Sequence, residues 1–342
     1  MKKILFILFI GVLAFFLWKG NIEEKVIAQV VSEKGTNNVF DIDINALSTA
    51  YGYLKGQQFT LDRIKKEYPE LNIEVIRCEL EFSLSFKNAA KRIENKLKEI
   101  FGNEFKSYEI NTISELTEIL NSQKITKELS LAFIEDVKLR AKGKIESPVL
   151  ETLLTYQFIN SPSKEIYEGF VSLYSTEEHP KSKGITIDAK LPLSWKQKEG
   201  DRPNIIQKFI SENGKGQEFI LFMVKDLGLP NDYILTNDEI DEIFTQNMLK
   251  QMVPDGGEFI SAKKILLDNQ IGAQMIFKIT EERLDFSLTM KTISFITIYE
   301  GKFVFLQCYV SAEQGEDLDE RFNLFLPLFR QVANSLILID QY

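Results

Sequence analysis

The strongest constraint on the fold is a series of strand-like apolar segments that begins at Ile185 and is followed by a long amphipathic helix, closing at Leu338. The first segment places Ile185, Ile187, Ala189 and Leu191 on one face, as a half-buried strand does, and ends at the corner Pro192-Leu-Ser-Trp195. Apolar runs bounded by turn and loop residues predict further strands over residues 169–176, 205–211, 219–224, 259–267, 271–279, 284–299 and 303–310. The turn sequences at 213–216 and 300–302 predict hairpins, and therefore antiparallel pairing.

Two helices are predicted within this half of the chain. One begins at Asn237 and carries apolar residues as far as Met252. The other runs from about Leu318 to Leu338 and presents an apolar face. The fold class is therefore predicted to be α+β, an antiparallel sheet with flanking helices, preceded by a small all-helical domain.

The all-helical domain is predicted over residues 21–162, and the α+β domain over residues 163–342. Capping residues and breakers place the helix ends. The predicted helices are a short one over 23–31, one capped by Asp43 and stopped at Gly56, one from Thr60 to Tyr68, one from the capping box Thr112-Ile-Ser-Glu115 to Leu120, one over Leu129–Ala141, and one beginning at Ser147-Pro148.

Residues 72–100 carry two conflicting periodicities. Cys78, Leu80, Phe82, Leu84 and Phe86 alternate with polar residues, which is typical of a strand, whereas Phe82, Phe86, Ala89, Ile93 and Leu97 follow a helical stripe. Because no glycine or proline occurs between Pro69 and Gly102, nothing marks a change of structure. One long helix is therefore favoured over a strand at 73–86.

The N-terminal segment, residues 1–20, predicts export. Two lysines precede fifteen apolar residues, 4–18, as in a signal peptide or a signal anchor. Fifteen helical residues span about 22 Å, short of the ~30 Å hydrocarbon core, which favours cleavage. The absence of a small-x-small cleavage site, together with Trp18 and Lys19 at the boundary, favours a transmembrane anchor instead. If uncleaved, residues 4–18 bind the membrane.

Charge and cysteine content exclude several classes of partner and site. Residues 165–342 contain 18 basic and 28 acidic side chains, a net charge of −10, which disfavours nucleic acid. Cys78 and Cys308 are too far apart in sequence for a metal-ligand pair, and they are expected to be buried, although one disulfide remains possible. We predict neither a metal nor a cofactor.

Two loops and one aromatic residue are the candidate partner-binding positions, because loops on a rigid scaffold often carry function. These candidates are Asp201, Arg202, Asn204, Asn213, Lys215 and Trp195. The competing interpretation is that the loops are ordinary turns and that Trp195 fills the core. The single histidine, His179, is expected to be a solvated loop residue, and no catalytic residue is predicted.

The C-terminal half resembles the PsbP/DcrB-like family of Mog/PsbP-type α/β/α sandwiches, over about residues 165–342. The resemblance is carried by the strand ending in Leu191-Pro-x-Ser-Trp195, the strand Ile220–Lys225, the strand containing Gly272, the hairpin 295–308 and the ending Val332-Ala-Asn-Ser-Leu336. It implies an adaptor or assembly factor in an extracytoplasmic compartment or on a membrane, without shared catalytic residues.

Together these features predict an exported, non-enzymatic bacterial protein in the periplasm, anchored in the inner membrane and acting through contacts with a protein partner. The alternative is an extracytoplasmic small-molecule binder or hydrolase with its site in the cleft between the two domains, where ligands often bind.

Overall fold

The computed structural model describes residues 43–144, 149–230, 233, 235–283, 286–312 and 317–342. The predicted helix at 23–31, residues 1–20 and the helix start at Ser147-Pro148 lie outside this part of the chain. By their internal contacts the residues form two compact units, which divide between Gln157 and Phe158. No helix within the described ranges combines the length and the apolar character that a bilayer crossing requires.

The first unit is helical throughout its described residues. Its α-helices are α1 Ile44–Glu67, α2 Asn72–Phe101, α3 Phe105–Ser122, α4 Lys127–Ala141 and α5 Leu150–Phe158, of which the last residue belongs to the second unit. Asp43 caps α1 by accepting a hydrogen bond from the Ala46 amide at 2.9 Å, as predicted. Residues 72–101 form the single long helix favoured above.

Two of the predicted helix boundaries in this unit are wrong. Gly56 does not end α1: the helix continues to Glu67, and Gly56 is buried beside Leu116 of α3, where a small residue permits close packing. Thr60 therefore lies inside α1 and donates to the Gly56 carbonyl at 2.9 Å. Thr112 does not cap α3 but is buried near its middle, and in the preceding turn Tyr108 stacks on Phe101 of α2.

The second unit contains a seven-stranded antiparallel sheet in the order β3-β4-β5-β9-β8-β7-β6, and a small sheet in the order β1-β2-β10. The strands of the large sheet are β3 Lys196–Glu199, β4 Ile205–Ile210, β5 Glu218–Asp226, β6 Glu258–Leu267, β7 Gln270–Arg283, β8 Phe286–Tyr299 and β9 Lys302–Ala312. Those of the small sheet are β1 Val171–Ser175, β2 Ile187–Pro192 and β10 Ile337–Leu338. The α+β class is confirmed.

Helices cover both faces of the large sheet. On one face, α9 Leu318–Asn334 and β2 pack against Phe222, Phe295 and Leu306. On the other, α7 Asn237–Ile243 and α8 Gln246–Gln251 bury Phe244 and Leu249 against residues such as Met275 and Phe277. A further short helix, α6 Ser163–Tyr167, precedes β1. Since alternate residues of β8 and β9 contribute to the two cores, the long strands are apolar on both sides.

Three features of this unit differ from the sequence expectations. The helix predicted from Asn237 to Met252 is two short helices, and Thr236 rather than Asn237 provides the capping box. The last helix ends at Asn334, because Ile337 and Leu338 leave it to pair with Asp188 and Ile187 of β2. Strand β3 was missed, since Lys-Gln-Lys-Glu has no apolar alternation and all four residues are exposed.

Both cysteines are free thiols in the cores, which generates a reactivity prediction. Burial raises the pKa of Cys78 to about 12 and that of Cys308 well above its ordinary value. We expect neither thiol to react with a thiol reagent such as dithionitrobenzoate in the folded protein at pH 8, because the reactive thiolate is suppressed. Both should react once urea unfolds the chain. An Asn95→Cys variant, exposed on α2, provides the positive control; rapid labelling of the unsubstituted folded chain would contradict the prediction.

Candidate functional site

The candidate residues fall at opposite ends of β4. Asp201, Arg202 and Asn204 lie in the loop that enters the strand, whereas Asn213 and Lys215 lie in the loop that leaves it. Six strand residues separate the two loops, a distance of about 20 Å. Trp195 precedes β3, whose first residue pairs with Ile210, and so it belongs to the second group. The structure therefore brings Trp195, Asn213 and Lys215 to one end of the sheet.

The entry loop is held by a small ionic cluster. The Lys181 ammonium donates to the Gly200 carbonyl at 2.6 Å and pairs with Glu199 at 2.9 Å. Gly200 leaves no room for a side chain, because an added Cβ would lie 2.2 Å from the Ile205 carbonyl oxygen. Asp201 and Arg202 are exposed, and Asn204 is half-buried, with its carbonyl accepting the Val224 amide.

His179 belongs to the same cluster and not to a freely solvated loop. Its Nδ1 accepts the Lys181 amide at 3.2 Å, and its Nε2 lies 3.3 Å from the Glu199 carboxylate. The side chain is partly buried by these contacts. His179 therefore has a structural explanation as the cap of the short 3-10 turn Pro180–Ser182.

Trp195 is a core residue and not an exposed platform. Only 9% of its surface is exposed, and its ring packs edge-on against Phe325 of α9 with a centroid distance of 6.3 Å. The preceding residue, Ser194, accepts the Asn213 amide through its carbonyl at 3.1 Å. The corner at 192–195 is therefore joined to the exit loop on one side and to α9 on the other.

A fully buried carboxylate lies beneath the exit loop. Glu218, the first residue of β5, accepts a hydrogen bond from the Ser211 hydroxyl and another from the Arg321 guanidinium of α9, each at 2.5 Å. Gly216 is required beside this network, since an added Cβ would lie 1.8 Å from the Ser211 oxygen. Burial of a charge is tolerated only when its partners are in place, so Glu218 fixes the exit loop relative to α9.

The first turns of α9 border an open groove of about 530 Å³, lined by Asp317, Glu320, Arg321 and Leu324. Asp317 caps the helix by accepting the amides of Asp319 and Glu320. The groove therefore combines an apolar side chain, carboxylates and one guanidinium, a mixture suited to polar contacts with a partner. We call Asn213, Lys215, Arg321 and Leu324 the corner–hairpin surface, after the corner and the hairpin loop that support it.

A second buried carboxylate is hydrogen-bonded to the corner at residues 192–195. Glu165 of α6 accepts the Ser194 amide through one oxygen and the Ser194 hydroxyl through the other, both at 2.7 Å. Desolvation raises the pKa of Glu165 to about 7, although the hydrogen bonds from Ser194 oppose that shift. Glu165 and Glu218 were not singled out from the sequence, because single acidic residues carry no pattern that predicts burial.

A different surface was also missed by the sequence analysis. Four large apolar side chains of α2 are exposed on the side of the helix opposite its buried stripe: Ile73, Ile76, Leu80 and Leu84. The signal was present in the alternation of Leu80 and Leu84 with Phe82 and Phe86. That alternation reflects a helix with apolar residues on two faces and not a strand.

Within the described ranges, no group of three or more histidine, cysteine, aspartate or glutamate side chains is arranged to hold a metal ion. The buried acids are instead satisfied by hydroxyl, amide and guanidinium donors.

Comparison with known proteins adds the following findings. No protein-family model and no curated protein matches the chain. Among solved structures, one similar chain is a PsbP. This cyanobacterial PsbP from Synechocystis is 18% identical, with a TM-score of 0.30, and the match covers 49% of this chain and 92% of that one.

Two further similar structures come from other bacteria. LpqN of Mycobacterium tuberculosis, described as involved in cell envelope biogenesis, is 13% identical with a TM-score of 0.30, over 52% of this chain and 96% of that one. A Pseudomonas aeruginosa protein of unknown function is 11% identical with a TM-score of 0.24, over 49% and 97%.

The Glu218–Arg321 pair generates a stability prediction. An Arg321→Met variant leaves the Glu218 carboxylate buried without its cation, so we expect a loss of about 3–5 kcal/mol in the free energy of unfolding. Adding Glu218→Gln should recover part of the loss, since the uncompensated charge is then removed. Chemical denaturation measures both. Arg330→Met, elsewhere on α9, is the matched control; equal losses at 321 and 330 would contradict the argument.

The raised pKa of Glu165 generates a pH prediction. The folded state favours the protonated acid, so its contribution to stability is complete below about pH 4.5 and is lost as pH rises through about 7. We expect a Glu165→Gln variant to lack this decline in the free energy of unfolding. The decline amounts to about 3 kcal/mol at most. Urea unfolding at pH 4.5 to 8 measures the slope. Glu168→Gln, exposed in the same segment, should keep the original slope, and an unchanged slope in Glu165→Gln would refute the assignment.

Proposed function

We propose that the chain is an exported bacterial protein, held at the cytoplasmic membrane, that binds a protein partner through the corner–hairpin surface and catalyses no reaction. The observation that carries this proposal is the fully buried Glu218, which joins Ser211 of the exit loop to Arg321 of α9. Export is supported by the N-terminal segment of the sequence, in which two lysines precede residues 4–18.

The Glu218 network supports binding because it pre-organises a surface. A flexible loop loses conformational freedom when a partner docks, and this loss weakens the complex. Here the loop is fixed in advance by Glu218, by Gly216 and by the bond from the Asn213 amide to Ser194. The side chains of Asn213 and Lys215 remain exposed at its tip. A loop held in this manner presents recognition groups at a low entropic cost.

The composition of the surface suits a polar protein partner. Lys215 supplies positive charge, whereas Asp317 and Glu320 supply negative charge at the groove; the charge of Arg321 is compensated by Glu218. Leu324, 37% exposed, adds an apolar side chain to the lining of the groove. Interfaces of this type combine an apolar centre with charged groups that define the register.

The experiment is site-specific photo-crosslinking in the native bacterium, with a photoreactive residue at Asn213 or at Lys215. We expect one discrete crosslinked species from both positions, in the membrane or periplasmic fraction. The matched control is Asp238, which is exposed on α7, on the opposite side of the large sheet. Intact-mass analysis of the same fractions establishes whether residues 1–20 are retained.

Three results would contradict the proposal. A cytoplasmic location would remove the export step. Equal crosslinking from 213, 215 and 238 would show random collision rather than a defined surface. Crosslinking from Asp201 and Arg202 without any from 213 or 215 would move the interface to the opposite end of β4.

A further inference from the structure

Helix α2 carries a second apolar face whose residues are largely exposed. Ile73, Ile76, Leu80 and Leu84 are 62%, 58%, 59% and 75% exposed. Their spacing of three, four and four residues aligns them in one stripe, about 145° around the helix axis from the buried residues. The stripe is about 16 Å long at the usual rise per residue. Single exposed leucines are common on protein surfaces, but an aligned set of four indicates a contact surface.

The same face continues as a cationic surface. Lys87 and Lys91 follow Leu84 along the stripe, and Arg77 lies at its margin; all three are exposed. No acidic residue lies on this face between positions 73 and 91. Among the described residues these three cations form no ion pair within 4.0 Å. We call the seven residues Ile73, Ile76, Arg77, Leu80, Leu84, Lys87 and Lys91 the α2 outer face.

The acids of this part of α2 lie on its flanks. Glu79 pairs with Lys65 of α1 at 2.7 Å, and Glu81 lies 3.7 Å from Lys142, which follows α4. Two of the three flanking carboxylates are thereby balanced by neighbouring lysines, and the third, Glu74, is half-buried on the same flank as Glu81; in the described part of the chain the cations of the outer face have no such partner. The outer face therefore presents apolar surface and net positive charge together, and it would attract an anionic partner that also accepts apolar side chains.

We propose that the α2 outer face lies on the anionic lipid surface of the membrane. Apolar side chains of an interfacial helix enter the boundary between headgroups and acyl chains, and lysines bind anionic headgroups. The inference rests on the membrane attachment proposed above. The 24 residues between Trp18 and Asp43 can span at most about 85 Å, so an anchor at residues 4–18 would keep the start of α1 within that distance of the bilayer.

The test uses the full chain reconstituted into vesicles, with an environment-sensitive fluorophore on a Leu80→Cys variant. Cys78 and Cys308 are fully buried, so labelling is confined to the introduced thiol. Vesicles contain either phosphatidylglycerol with phosphatidylethanolamine or phosphatidylcholine alone. A lipid-attached nitroxide reports contact with the bilayer, and iodide reports contact with water. A label at Glu135→Cys, exposed on α4, is the control position.

We expect the nitroxide to quench the label at position 80 on anionic vesicles only, and iodide to quench the label at position 135 on both kinds of vesicle. Lys87→Glu with Lys91→Glu should weaken binding of the face to anionic lipid by at least about fivefold for each lysine, because each change removes a cation of that usual strength and adds an anion. Lys106→Glu with Lys124→Glu, exposed on or next to α3, makes the same change in net charge and should have no such effect.

The outcomes separate this inference from the proposed function. If the chain floats with the vesicles but the label at position 80 stays accessible to iodide, the lipid contact is wrong and the attachment stands. If the chain does not float, both the attachment and the inference fail. If the label is shielded in native membranes but not in protein-free vesicles, a protein covers the face, and the lipid proposal is overturned.

Discussion

The buried carboxylate of Glu218 is the interaction on which the geometry of the second unit most depends. It lies at the start of β5 and is satisfied by Ser211 from the preceding turn and by Arg321, which is 103 positions away in sequence. A buried ion pair adds little net stability compared with apolar side chains of similar volume, but loss of one partner is costly. Its effect is therefore to specify geometry. Only one placement of α9 across the sheet brings Arg321 to Glu218.

The apolar side chains along α9 then complete that placement. Phe322, Leu328, Phe329 and Val332 are buried against strands β5, β8 and β9, while Phe325 receives the edge of Trp195. The corner before β3 is in turn supported by Glu165 from α6. The chain thus uses two buried acids to fix the corner–hairpin surface: Glu165 binds the corner, and Glu218 binds the exit loop and α9. Both acids bond to serines, whose short side chains leave little freedom of position.

Sequence reasoning recovered the parts of the fold that are governed by local periodicity. The long strands β8 and β9 were predicted as apolar runs joined by a turn sequence, because both of their faces pack on a core, and α2 was favoured because no breaker interrupts it. The failures have tertiary causes. Gly56 continues a helix because Leu116 packs beside it, and β3 exists because β4 offers backbone partners to a segment without apolar residues. Of the candidate site, Asn213 and Lys215 were found from turn chemistry, whereas Glu218 and Arg321 are brought together only by the completed fold.

The short strand β10 has a consequence for when the second unit can form. Residues 337 and 338 provide the second neighbour of β2, about 145 positions after that strand is made, and the Leu338 amide is further held by Asp268. Arg321, which pairs with Glu218, is likewise synthesised 103 positions after it. A nascent chain of this sequence therefore remains without its closing contacts until nearly all of it has been synthesised. The second unit therefore reaches its rigid form late, after segments from both ends of its sequence have come together.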